Sequence, residues 1–164
     1  MSYKILGIDP GIADTGWGVI EDNNGKQKCL AYGSIKTKAG KELSERLNEL
    51  HLELTEIIKK YQPKYVGVEE LFFCKNVKTA LIVGQARGVI LLTIKQNNLF
   101  PEEYTPLQIK QAVTAYGKAD KGQVQRMVKV MLNLKEIPKP DDAADALAVA
   151  ICTANSTLCH PYKS

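Results

Sequence analysis

Tyr3-Lys4-Ile5-Leu6-Gly7-Ile8-Asp9-Pro10-Gly11 begins as an apolar run of strand length and ends in turn chemistry. Pro10 has no N–H and a fixed φ, so the ladder is predicted to stop there, with Asp9 as the last strand residue. Gly7 and Gly11 bracket that carboxylate and leave the backbone around it bare, so a bulky group can come close. A carboxylate ending an apolar, central strand is costly to bury unless it is paired or bound to a metal. Taken alone, the stretch reads equally well as an ordinary Asp-Pro-Gly turn. The far end of the chain weighs against that.

Moving outward, residues 15–20 (Thr-Gly-Trp-Gly-Val-Ile) read as a second strand and 28–35 as a third. Asn23-Asn24-Gly25 between them carries the Asn-Gly hairpin signal. From 41 to 61, Leu43, Leu47, Leu50, Leu54, Ile57, Ile58 and Tyr61 recur at helical spacing, and Pro63 closes the helix. His51 lies within it and reads as a surface or boundary residue. Residues 64–70 then read as a buried strand ending in Glu69 and Glu70. A strand–helix–strand order favours a right-handed crossover and a parallel pair. Both strands therefore end at the same sheet edge, where ligands of open α/β sheets bind. Asp9 is expected to face one of Glu69 or Glu70 there.

Residues 71–78 interleave aromatic and basic side chains (Phe72, Phe73, Lys75, Lys78) in a loop or strand extension. A helix follows over 79–95, in which Ala80, Gly84 and Gly88 form a stripe of small residues, open to two readings: packing on this domain's own sheet, or a dimer seam. A short strand is expected at 100–105 and helices at 107–116 and 121–132, the second opened by an Asp120/Gln123 capping box. After Pro138-Lys139-Pro140, Asp141-Asp142-Ala143-Ala144-Asp145 starts the last helix. Acids in a first turn suit the helix dipole, so Asp141 and Asp142 have a structural explanation. Asp145 has none, because it stands in the nearly apolar run Ala146-Leu147-Ala148-Val149-Ala150-Ile151. Asp142 and Asp145, three apart, share a face, and the alanines let the helix lie close to the sheet.

At 164 residues the chain is expected to be one domain, residues 1–155 with a tail at 156–164. That is long enough to bury roughly 70% of the extended-chain surface. Cys29, Cys74, Cys152 and Cys159 form no regular framework and no secretory leader is evident, which points to a reduced, cytoplasmic setting. Cys159-His160 is a poor metal ligand set. The apolar run over 80–94 is too short for a membrane span and contains Gln85 and Arg87.

The net charge of +4 is mild, but its distribution is not. Between 105 and 135, Lys110, Lys118, Lys121, Arg126, Lys129 and Lys135 face a single acid, Asp120, the footprint of a nucleic-acid partner. Acids converging on one sheet edge would repel one another and raise their own pKa values, a problem that a divalent cation removes. Oxygen ligands suit Mg²⁺ or Mn²⁺, and the lack of a His/Cys cluster argues against zinc. Two such ions about 3.5–4 Å apart can activate a water and stabilise the leaving oxygen of a phosphodiester.

Gly7-Ile8-Asp9-Pro10-Gly11 with Thr15-Gly16, then Val68-Glu69, Gly84-Gln85-Ala86-Arg87-Gly88 and Asp142-Ala143-Ala144-Asp145-Ala146-Leu147-Ala148 together resemble the RuvC family of Holliday junction resolvases, from Ile5 to about Ile151. The resemblance implies an α/β fold, an RNase H-like mixed five-stranded sheet flanked by helices. It further implies a homodimer, Mg²⁺-dependent paired nicks across a four-way DNA junction, and work alongside the RuvA and RuvB branch-migration proteins. By position, Asp9, Glu69, Asp142 and Asp145 match the metal-binding, catalytic carboxylates. Phe72 matches the aromatic that stacks at the junction, and Lys110 and Lys121 match basic residues near the DNA. Lys75, Lys78 and Lys118 join the expected DNA surface from the basic stretches in which they lie. Asp141 and Glu70 stand beside two of the acids and could substitute in the metal site. Three rivals remain: a phosphate-binding hairpin of actin-like kinases, for which the chain has room for only one of the two domains needed; an RNA-processing relative such as the YqgF branch; and a non-catalytic junction binder.

Overall fold

Asp9 is the last residue of the first strand, β1 (Ser2–Asp9), as Pro10 predicts. β1, β2 (Asp14–Asn23) and β3 (Lys26–Lys36) form an antiparallel meander. α1 (Leu43–Tyr61) crosses to β4 (Tyr65–Glu69), which pairs parallel to β1, and α2 (Val77–Gln96) crosses to β5 (Pro101–Tyr104), parallel to β4. The sheet order is β3-β2-β1-β4-β5, the expected mixed five-stranded sheet. α3 (Pro106–Thr114), α4 (Lys121–Met131) and α5 (Asp141–Cys159) complete the chain. The computed structural model describes residues 2–70 and 77–159. Among these, no helix is long and apolar enough to cross a membrane.

Local chemistry accounts for the boundaries. Asn24 and Gly25 adopt positive φ (52° and 84°), and the Gly25 N–H donates to Asp22 Oδ1 at 2.9 Å, closing the β2–β3 hairpin. α1 ends at Tyr61 because Gln62 turns left-handed, its N–H capping the Ile58 carbonyl, before Pro63. The Asp120/Gln123 capping box opens α4 as predicted. Thr105 and Gln108 cap α3 reciprocally with Pro106 in the first turn, so the helix starts one residue earlier than expected.

The sheet has a core on each face. On one, Leu50, Leu54 and Ile58 of α1 and Ile90 and Ile94 of α2 pack on Leu6, Ile8, Val66 and Val68. On the other, α3, α4 and α5 bury Ile109, Val124, Leu147 and Ile151 with Ile5 and Ile20. Strand side chains alternate faces, so Gly7 lies opposite Leu6 and Ile8, towards α5. In register, Gly18, Gly7 and Gly67 make a lateral row across the three central strands. A Cβ on Gly7 would stand 2.1 Å from the Ala146 carbonyl oxygen, so only glycine lets α5 lie this close. The bare backbone beside Asp9 serves a helix, where the sequence alone pointed to a ligand. The alanines of α5 supply the matching smoothness from the other side: Ala143, Ala146 and Ala150 are fully buried.

The Ala80-Gly84-Gly88 stripe of α2 behaves differently. Ala86, Ile90 and Ile94 are the residues turned inward, and added Cβ atoms at Gly84 or Gly88 would meet nothing within 4 Å. Packing on the domain's own sheet is therefore not what these small residues do.

Candidate active site

Two residues beyond the glycine row, on the same face by strand alternation, β1 ends in Asp9 and β4 in Glu69. The N-terminus of α5, drawn down onto Gly7 and Gly16, delivers Asp142 and Asp145 to that edge. A Cβ on Gly16 would overlap the Asp142 carbonyl oxygen at 2.0 Å. Carboxylate oxygens of Asp9, Asp142 and Asp145 all lie within 4.8 Å of one another. Glu69 joins through Asp9, to which it is hydrogen-bonded. Two connected loops hold the strand end in place. The Thr15 hydroxyl donates to the Gly11 carbonyl and the Thr37 hydroxyl to the Ile12 carbonyl, while Arg46 Nε donates to Thr37 Oγ1 at 2.9 Å.

Burial pushes the Asp9 carboxyl up to about 8, reinforced by the charges of Glu69, Asp145 and Asp142. Glu69 is raised by burial and by Asp145, although its hydrogen bond from Asp9 works the other way. Asp142 is raised by burial and then by Asp14. Half-buried acids held this close store repulsion that a hard cation would relieve, and every donor is an oxygen, so the set fits Mg²⁺ or Mn²⁺ and not zinc.

Lys121, at the start of α4, stands 2.9 Å from Asp145 and 3.5 Å from Asp141. Burial would lower its pKa, but the hydrogen bond and charge of Asp145 outweigh this and raise it. Asp141 is 65% exposed and turns to Lys121, outside the three-acid group. Glu70 is likewise outside it; its N–H donates to the Tyr104 carbonyl at 2.8 Å, continuing the β4–β5 pairing. Lys110 of α3 exerts its charge on Glu69. Glu69, Asp145, Lys110 and Lys121 rim a cavity of about 260 Å³ floored by Ile109 and Val124. Lys118 is exposed on the α3–α4 loop and does not line this cavity. Lys78 lies in the first turn of α2. Phe72 and Lys75 fall outside the described residues.

Sequence reading missed Asp14. It opens β2 at the same edge, 3.8 Å from Lys36, with a buried Oδ1 that has no hydrogen-bond partner, and its charge acts on Asp142. The signal was the shortness of the Pro10–Ala13 connection, because a tight antiparallel return must bring residue 14 back beside residue 9.

Residues 5–153 match the family model described as crossover junction endodeoxyribonuclease RuvC. The chain belongs to the RuvC family. Crossover junction endodeoxyribonuclease RuvC of Caldicellulosiruptor saccharolyticus is 60% identical over 150 residues, covering 91% of this chain and 90% of the relative. That of Halothermothrix orenii is 58% identical over 152 residues, 93% of this chain and 92% of the relative. Among solved structures, Thermus thermophilus RuvC in complex with Holliday junction substrate aligns at a TM-score of 0.88 with 36% identity, covering 93% of each chain. A yeast mitochondrial Holliday junction resolvase shares the fold at a TM-score of 0.67 and 16% identity, covering 95% of this chain and 80% of that one. RuvC-family membership carries the expected RNase H-like architecture with it and displaces the kinase-like reading of the β1–β2 hairpin.

Proposed function

We propose that this chain resolves four-way DNA junctions by metal-dependent phosphodiester hydrolysis, with Asp9, Glu69, Asp142 and Asp145 as the metal-binding carboxylates. The observation that carries this is the convergence of Asp9, Asp142 and Asp145 within 4.8 Å at the edge where β1 and β4 end, in a chain of the RuvC family. Mg²⁺ is the cation assigned here, two per site, with Mn²⁺ able to replace it. Bound ions would supply Lewis-acid stabilisation of charge at the reacting phosphate.

The remaining work falls to the chain itself. Asp9 must give up its proton before it can bind a cation, so metal loading is coupled to pH. Lys121 neutralises Asp145 and Asp141 and would offer its ammonium to a phosphate oxygen beside the acids. Lys110, on the other rim of the same cavity, holds the strand beside Glu69. Phe72, three residues beyond Glu69, is assigned to stacking on a base at the branch point, and Lys75, Lys78 and Lys118 to the flanking backbone.

A compact domain with one acid cluster cuts one strand, while resolution needs two cuts on opposing strands. A two-fold homodimer supplies the second site in a symmetry that matches the junction. The outward Ala80-Gly84-Gly88 stripe of α2, flanked by Leu81 (65% exposed), is the assigned seam. We assign residues 1–155 to the nuclease domain and 156–164 to a tail whose first residues, as far as Cys159, continue α5, and we assign the protein to the cytoplasm alongside RuvA and RuvB.

The test uses end-labelled four-way junction, linear duplex and RNA–DNA hybrid at equal concentration with Mg²⁺. Paired, symmetric nicks in the junction, and far less cutting of the others, are expected. Preference for the hybrid would favour an RNA-processing enzyme, tight binding without cutting a scaffold, and single unpaired nicks from a strict monomer would sink the resolvase reading.

A further inference from the structure

The α3–α4 lobe carries a second concavity, across α4 from the acids. Thr114, Tyr116, Ala119, Gln123, Arg126 and Met127 line a groove of about 370 Å³, within the size range of small-ligand sites. Lys121 begins α4 on the acid side, and Val124 of the same helix lines the acid-side cavity. Gln123, Arg126 and Met127 line the groove from other positions of α4, so that helix separates the groove from the acid side.

Its rim is built rigidly. The Thr114 hydroxyl accepts from the Tyr116 N–H at 3.2 Å, and its one proton has the Lys110 carbonyl at 2.8 Å and the Tyr116 carbonyl at 2.9 Å within reach, so it ties residue 116 to the end of α3. Ala115 turns left-handed (φ 58°), its N–H capping the Gln111 carbonyl. Against this fixed backbone the Tyr116 ring remains 57% exposed, and Met127 beside it is part-exposed. An aromatic ring held out over a groove by its own backbone is preorganised to cover another flat face.

The charge selects the occupant. Lys118 and Arg126 are exposed, and among the described residues neither stands in an ion pair. The nearest acid in sequence, Asp120, is committed to capping α4 through the Gln123 N–H at 2.8 Å. An aromatic and thioether wall with the Arg126 guanidinium beside it matches a nucleotide: a base face for Tyr116 and Met127, a phosphate for Arg126. Duplex DNA offers its phosphates outwards and keeps its base faces stacked, so the match is to an unpaired nucleotide.

We infer that the Tyr116–Arg126 groove is a second DNA-contact site, taking one unpaired nucleotide of the junction outside the acid cluster. The inference rests on the junction-nuclease reading. Its test is made by binding in EDTA, so it stands or falls apart from cleavage, while wild-type cutting of the four-way junction in Mg²⁺ checks the underlying function.

Tyr116→Ala should weaken binding to a four-way junction and to a single-stranded oligonucleotide at least about fivefold, the lower end of what one stacked base contributes. Tyr116→Phe, which keeps the ring, should bind like wild type, and neither variant should weaken binding to blunt linear duplex. Arg126→Ala should reduce the slope of log affinity against log salt by about 1, the mark of one lost phosphate contact. Tyr116→Ala binding the junction within twofold of wild type would overturn the site. Equal losses on duplex and single strand would overturn the base-face assignment, and an unchanged salt slope in Arg126→Ala would remove the phosphate contact.

Discussion

Two helices of this protein carry small residues at close spacing, and they use them in opposite ways. α5 sets Ala143, Ala146 and Ala150 onto a sheet whose central strands are bare at Gly18, Gly7 and Gly67: over Gly7 helix and strand meet backbone to backbone, and the space over Gly18 and Gly67 takes the Leu147, Val149 and Thr153 side chains. α2 presents Gly84 and Gly88 to open space and packs on the sheet through Ala86, Ile90 and Ile94. Smallness in a helix permits close approach; what approaches is decided by the complementary surface. For α5 that surface is within the chain, and the closeness sets where the acids stand. For α2 no such surface lies within the described residues of the chain, which is why the stripe is the proposed seam.

The largest effect is expected where α5 delivers its charge. Asp145→Asn, and Asp9→Asn opposite it, should abolish junction cleavage in Mg²⁺ while junction binding is kept or improved. The loss should exceed the roughly 10–100-fold that follows removal of an outer partner of a metal. A labelled-junction assay with a parallel mobility-shift titration separates the two readouts, and wild-type cutting by either variant would remove that residue from the site.

Next comes the seat of the helix. Gly7→Ala would place a Cβ 2.1 Å from the Ala146 carbonyl oxygen and 2.4 Å from the Ala150 nitrogen, both backbone atoms that cannot step aside. A loss of about 3 kcal/mol is expected from such overpacking, read as a melting temperature lower by ~10 °C. A stable variant would show that α5 can lift without cost.

The acids tie this seat to pH. Asp9 is raised from 3.8 to about 8, so its bound proton stabilises the metal-free fold fully at low pH, and that contribution is lost as pH rises towards 8. Melting temperatures in EDTA should fall over that window, and Asp9→Asn or added Mg²⁺ should flatten the fall. A flat wild-type profile in EDTA would mean that Asp9 is neither desolvated nor crowded by the other acids as placed.

The smallest effect on the protomer belongs to α2. Gly84→Ala meets nothing within 4 Å and should stabilise the helix by up to ~1 kcal/mol. The same methyl should weaken self-association if this stripe is the seam; sedimentation equilibrium of wild type and variant measures both, and an unchanged dimer constant would take Gly84 out of the interface.

Sequence by itself determined what depends on neighbours along the chain. Pro10 ended β1 at Asp9, Asn24-Gly25 made the hairpin, the leucines of α1 declared its face, and Asp145 in an apolar helix announced an acid without a local reason. Even the choice between Glu69 and Glu70 was available, since Gly67-Val68-Glu69 repeats the alternation of Gly7-Ile8-Asp9 and so faces the same side. Only the tertiary structure decided what depends on partners far apart in the chain. Gly7 is bare because Ala146 and Ala150, some 140 residues on, lie against it. Asp141 turns to Lys121 and not to the acid cluster, and Asp14 comes to stand beside Asp142. Such choices are set by register and by the depth to which one element settles on another, and no local spacing encodes them.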